Sequence, residues 1–120
     1  MTLSDFREYC LSKPGVTEET PFGPDTLVLK VAGKMFALTD LEDFVSVNLK
    51  CDPEQAAELR ERYAFVLPGW HMNKTHWNTV EIGTGVTDYQ LRAWIDHSYE
   101  LVRASLPKKV REGLGAGEVE

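Results

Sequence analysis

The residues of this chain best suited to chemistry lie in one stretch, Gly69-Trp70-His71-Met72-Asn73-Lys74-Thr75-His76-Trp77-Asn78-Thr79-Val80. It holds two tryptophans, two histidines, two asparagines and a lysine in twelve residues. No acid stands between Glu61 and Glu81, while Arg62 and Lys74 add positive charge. Rings stack on bases and cations meet phosphates, so this mixture suits nucleic acid. The same residues also suit packing, because tryptophans fill cores and Asn and His satisfy loop backbone groups. Alternation along a strand sets Val80 and Ile82 toward a core and Trp77 on the opposite face. There Trp77 is either covered by another element or offered to a partner. A second acid-free positive island is Arg103, Lys108, Lys109 and Arg111.

Other chemistries find little support. His71 and His76 are five residues apart, with no cysteine or carboxylate between them, which matches no zinc pattern, so no metal is expected. Asp96-His97-Ser98 has the residue types of a hydrolase triad. On a helix, consecutive side chains fan out by about 100° per step and cannot converge. Ser98 falls inside an apolar stripe and reads as a small packing residue bonded to a backbone carbonyl. The chain lacks GxSxG, a Walker loop and GxGxxG, so neither a catalytic residue nor a cofactor is expected. Gly83-Thr84-Gly85 reads as a plain turn, and Asp40, Glu42 and Asp43 read as a solvated turn.

The elements that must position these residues are visible in the periodicity. A first helix begins near Leu3 to Asp5, carries Phe6, Tyr9 and Cys10, and stops at Lys13-Pro14-Gly15. Thr17 to Asp25 reads as a loop, with a short extended piece as the alternative. Leu27 to Val31 and Lys34 to Thr39 form a hairpin around Ala32-Gly33. Phe44 to Lys50 is a strand with Val45, Val47 and Leu49 on one face and Ser46, Asn48 and Lys50 on the other. Asp52-Pro53-Glu54-Gln55 starts a helix, with Gln55 placed to close a capping box. Ala64 to Leu67 and Trp77 to Ile82 are paired strands. Thr87 and Gln90 open a last helix with the stripe Leu91, Trp94, Ile95, Ser98, Leu101 and Val102, which Pro107 interrupts. The expected order is α-β-β-β-α-β-β-α. That makes an α+β fold, an antiparallel sheet of about five strands with helices on one face.

A chain of 120 residues is one domain. We place it at 1–107, with a flexible C-terminal tail over 108–120. With 42% hydrophobic and 27% charged residues it is an ordinary globular chain. Its net charge of −6 argues against a general polyanion binder. Cys10 and Cys51 form no CxxC, the N-terminus lacks a secretory h-region, and no apolar run is long enough to span a bilayer. These features predict a cytoplasmic protein without a membrane partner.

The run from His71 to Val80, followed by Ile95-Asp96-His97-Ser98-Tyr99-Glu100-Leu101-Val102, resembles the MmcQ/YjbR family. Pro21 to Gly23 and Pro68-Gly69 fit it as well, and the likeness covers nearly the whole chain. The resemblance implies a small cytoplasmic bacterial α+β domain with a fold described as CyaY-like or secretion-chaperone-like. It also implies DNA binding, carried here by His71, Asn73, Lys74, His76, Trp77 and Asn78. The family tolerates a basic residue where this chain has Thr75. Two functions stand at this point: a non-enzymatic module that binds DNA weakly, or a protein-interaction module using an exposed sheet face or edge. A positive surface around Lys74 favours the first, and an apolar patch around Trp77 favours the second.

Overall fold

The computed structural model describes residues 1–118. Helix α1 (Leu3–Leu11) opens with a capping box: Thr2 accepts from the Asp5 amide, and the Asp5 carboxylate accepts from the Thr2 amide. Strands β1 (Val16–Glu19), β2 (Thr26–Val31), β3 (Lys34–Asp40) and β4 (Ser46–Lys50) follow. Next come α2 (Pro53–Arg62), β5 (Val66–Pro68), β6 (Trp77–Glu81), α3 (Asp88–Ala104) and α4 (Lys108–Glu118). The strands form one antiparallel sheet in the order β1-β2-β3-β4-β6-β5.

The α+β class and the order of elements are as expected. The sheet has six strands rather than about five. The added strand is β1, which starts one residue before the stretch Thr17 to Asp25 and takes up the short extended piece allowed there. Val16-Thr17-Glu18-Glu19 has a single apolar residue because it is an edge strand, paired only with β2. Glu18 turns toward α1 and pairs with Arg7 at 2.5 Å. The hairpin turn at Ala32-Gly33 has φ of 48° and 84°, the double positive φ that matches the twist of adjoining strands. At α2, Asp52 accepts from the Gln55 amide, which is half of the expected capping box. The segment expected as a flexible tail, 108–120, carries α4 from Lys108 to Glu118, and its last two residues lie outside the described ones. Leu114 of α4 reaches the core across Gly15, whose φ of 75° and missing Cβ leave it room.

The main core lies between the helices and one face of the sheet. Phe6 and Cys10 of α1 meet Leu27, Leu29 and Val31 of β2, Val47 and Leu49 of β4, and Leu91, Ile95, Tyr99 and Val102 of α3. Two members of the expected α3 stripe, Trp94 and Leu101, are only half-buried. Ser98 is fully buried and binds a strand: its hydroxyl donates to the Phe36 carbonyl at 2.5 Å and accepts from the Lys50 amide at 2.9 Å. Val45 departs from expectation. The chain turns at Asp43, β4 begins one residue later at Ser46, and Val45 is 62% exposed.

Candidate functional site

The sheet face opposite the main core carries a second, smaller apolar cluster. Val28 and Leu38 stand opposite each other in the β2–β3 pairing, and Trp77 packs with them. Met35 and the loop residue Met72 lie against this cluster. Trp77 is thus on the face that alternation assigned, and it is 7% exposed, covered rather than offered.

The cover is the loop 69–76 between β5 and β6, and its own residues hold it in place. The Trp70 amide donates to the Thr79 hydroxyl at 2.9 Å, and that hydroxyl bonds the Asn48 side chain on β4. The Gly69 amide donates to the Trp77 carbonyl at 2.9 Å, and a Cβ on Gly69 would lie 2.7 Å from that of Trp77, so only glycine lets the loop close here. The Asn73 carboxamide accepts from the amides of Thr75 and His76 at 2.9 and 3.2 Å, a local turn of the kind asparagine favours. The Lys74 ammonium donates to the Gly69 carbonyl at 3.0 Å. His71 has φ of 61° and stacks on Trp70 with ring centroids 4.9 Å apart.

The six residues named from sequence therefore divide. Asn73 and Lys74 bond within the loop, and Trp77 is buried beneath it. Asn78, 3% exposed, faces the helices: it donates to the Ala56 carbonyl at 3.3 Å and accepts from Arg60 at 2.8 Å. Arg60 also binds the Lys74 carbonyl. Only the His71 and His76 side chains remain exposed without a role in closing the loop. The second basic set lies in the helical layer, on α3 and α4, and is not brought to this face. There Arg103 pairs with Glu100 at 3.6 Å and Lys108 with Glu112 at 3.9 Å. Lys109 is exposed, and Arg111 is half-buried.

What the loop and the sheet enclose together is a groove of about 760 Å³, inside the roughly 300–1,000 Å³ usual for ligand sites. It is lined by Met35, Leu38, Ser46, Asn48 and Trp77 of the sheet and by Met72 of the loop. Phe22, Val45 and Trp70 rise at its margins, 65%, 62% and 69% exposed. Sequence reasoning missed Phe22, Val45, Met35 and Met72 as site residues. The readable signal was large apolar residues set beside glycine or proline in loops, as in Pro21-Phe22-Gly23 and Gly69-Trp70.

The remaining candidate groups lie elsewhere in the fold. Asp96, His97 and Ser98 fan apart as expected: Asp96 accepts from Tyr9 and Lys13, His97 from the Asp52 amide, and Ser98 bonds β3 and β4. Both cysteines are free and buried. Burial pushes the Cys10 thiol up to about 12 and the Cys51 thiol up to about 11, which favours the protonated thiol of each. Among the described residues no group of three His, Cys, Asp or Glu side chains is placed to hold a metal ion, and no helix is long and apolar enough to cross a membrane.

A small α+β domain with one open, grooved sheet face is the class of protein defined so far. The YjbR family model matches residues 11–101, and the chain belongs to the YjbR family. It is 34% identical over 115 residues to the uncharacterized protein YjbR of Escherichia coli strain K12, covering 95% of this chain and 98% of that one. It is 35% identical to the uncharacterized protein YbdF of Escherichia coli O157:H7, covering 92% of each. The crystal structure of Deinococcus radiodurans protein DR2400, described with the domain DUF419, superposes with a TM-score of 0.89 at 37% identity, covering 95% of this chain and 88% of that one. A crystal structure from Pseudomonas syringae follows at a TM-score of 0.72 and 26% identity, covering 84% of this chain and 98% of that one.

Proposed function

We propose that this chain is a non-enzymatic, cytoplasmic binding module whose open sheet face holds an apolar segment of a partner protein. The observation that carries this reading is the convergence of Phe22, Val45 and Trp70, all exposed, on one groove floored by the sheet. Large apolar side chains around a concavity are the usual anchors of a protein interface. The sheet edges suit a partner less well. Edge strand β5 has three residues and ends in Pro68, and edge strand β1 carries Glu18 and Glu19, both features that discourage strand addition.

The DNA reading has the family resemblance in its favour and weaker support from geometry. Lys74 is engaged by the Gly69 carbonyl and Arg60 by Asn78, so the motif presents few free cations to phosphate. A displayed library of short random peptides panned against the protein, beside a duplex DNA titration at low salt, separates the two. We expect enriched peptides with two or more large apolar residues, whose binding falls in Val45→Ser and Phe22→Ala. Salt-sensitive DNA binding that is lost in Lys74→Ala, with no peptide enrichment, would overturn the proposal.

A further inference from the structure

We infer that the groove selects cationic amphipathic segments, with the positive group seated at its Asp40 end; this rests on the groove being a protein-binding site. Among the described lining residues, Asp40 is the only one with a formal charge at neutral pH apart from the titratable His71. Thr26 pairs with Asp40 across β2 and β3, Ser46 pairs with Glu81 across β4 and β6, and alternation turns all four to the open face. The Asp40 Oδ1 accepts from the amides of Glu42 and Asp43 at 2.8 and 3.4 Å. That bond holds two more carboxylates in the turn beyond this end. None of Asp40, Glu42, Asp43 and Glu81 has an ion-pair partner among the described residues.

The cations on the same face lie at the other end. Lys30 stands across from Met35 and Lys50 across from Trp77, and Lys30 pairs with Glu19 at 3.3 Å. The face is therefore apolar along its middle, acidic at the β3–β4 turn and basic at the far row. A partner lowers its electrostatic energy there by placing apolar side chains against Phe22 and Trp70 and an Arg or Lys beside Asp40. Met35 and Met72 are flexible thioethers that accommodate varied apolar shapes, so charge carries more of the selectivity than shape does.

The test uses two synthetic amphipathic peptides of equal length, one of Leu and Lys and one of Leu and Glu, titrated calorimetrically into the intact protein and three variants. Phe22→Ala removes an apolar margin. Asp40→Asn removes charge and keeps the Oδ1 acceptor that orders the turn. Lys109→Ala is a distant charge control. The expected result is binding of the Leu/Lys peptide about tenfold tighter than the Leu/Glu peptide, weakened by Phe22→Ala. Asp40→Asn should narrow that ratio by about twofold to fivefold, the scale of a partly exposed ion pair, and Lys109→Ala should leave it alone. Equal or reversed preference, or a ratio untouched by Asp40→Asn, overturns the charge inference while leaving the groove reading intact if Phe22→Ala weakens both peptides. Absence of binding by either peptide, or indifference to Phe22→Ala, overturns the groove reading and this inference with it.

Discussion

Trp77 and Asn78 are adjacent in the chain and serve opposite layers. Trp77 supports the loop over the open face, while Asn78 closes the Ala56 carbonyl and the Arg60 guanidinium on the helical side. Removing the carboxamide takes away a buried bond to the Ala56 carbonyl and a charge-assisted one to Arg60, which keeps its bond to the Lys74 carbonyl, at about 1–3 kcal/mol. We expect Asn78→Ala to lower the urea-unfolding free energy by that amount; a loss below about 0.5 kcal/mol would mean that water replaces both bonds. Ser98→Ala faces the same arithmetic, because the Phe36 carbonyl and the Lys50 amide share one hydroxyl. The same measurement should show a loss of about 1–3 kcal/mol there. The side of the sheet on which Trp77 sits was legible from alternation alone, and so was the packing role of Ser98. The roles of Asn73 and Lys74 were not. Their partners are loop backbone atoms, Gly69 and the Thr75 and His76 amides, whose positions depend on how the loop closes rather than on any period in the sequence.

At the scale of elements, helices were the most legible part, because caps and stripes are local. Thr87 with Gln90, and Asp52 with Pro53, mark helix starts where the structure has them. Strand ends were harder. Val45 fits the alternation of Val47 and Leu49, yet the turn at Asp43 sends it out of register and into the groove margin. β1 was legible only as a short extended piece in a loop, because an edge strand with one covered face needs little apolar content. Helix α3 illustrates the limit of a stripe. Trp94 belongs to it by spacing but sits at its border, half-buried, with ring centroids 5.7 and 6.3 Å from Tyr63 and Phe65. A fully buried aromatic loses about 3–5 kcal/mol on truncation to alanine. Trp94→Ala should fall short of that, at about 2–3 kcal/mol in chemical denaturation, since part of the ring already meets water. A loss above about 4 kcal/mol would show that the cluster of Tyr63, Phe65 and Trp94 collapses as a unit.

For the molecule as a whole, the acids held protonated set an alkaline limit. Burial raises the Tyr9 phenol to about 12, helped by its bond to Asp96, and burial raises the thiols of Cys10 and Cys51 to about 12 and about 11. The ordinary values are 10.0 for tyrosine and 9.0 for cysteine. Above the ordinary values the unfolded chain releases protons that the folded chain keeps, so stability is full below about pH 9 and falls as pH rises through these folded values. Thermal unfolding followed at about pH 8 and about pH 10.5 should show a clear drop in midpoint, smaller in Cys10→Ala; an unchanged midpoint would contradict the burial of these groups. On the acid side, the Arg7 guanidinium holds the Glu18 carboxyl below its usual range, so that contribution is present above the ordinary carboxylate value and is lost as pH falls through the lowered one. The sheet itself bears on how such a protein diversifies. Its two faces are stabilised by separate sets of residues, and Phe22, Val45 and Trp70 contribute little to the interior that keeps the chain folded. Substitutions at those margins are nearly free of folding cost, within about 0.5 kcal/mol. A lineage built on this scaffold can therefore remake the character of this surface by drift at three side chains without any change in architecture.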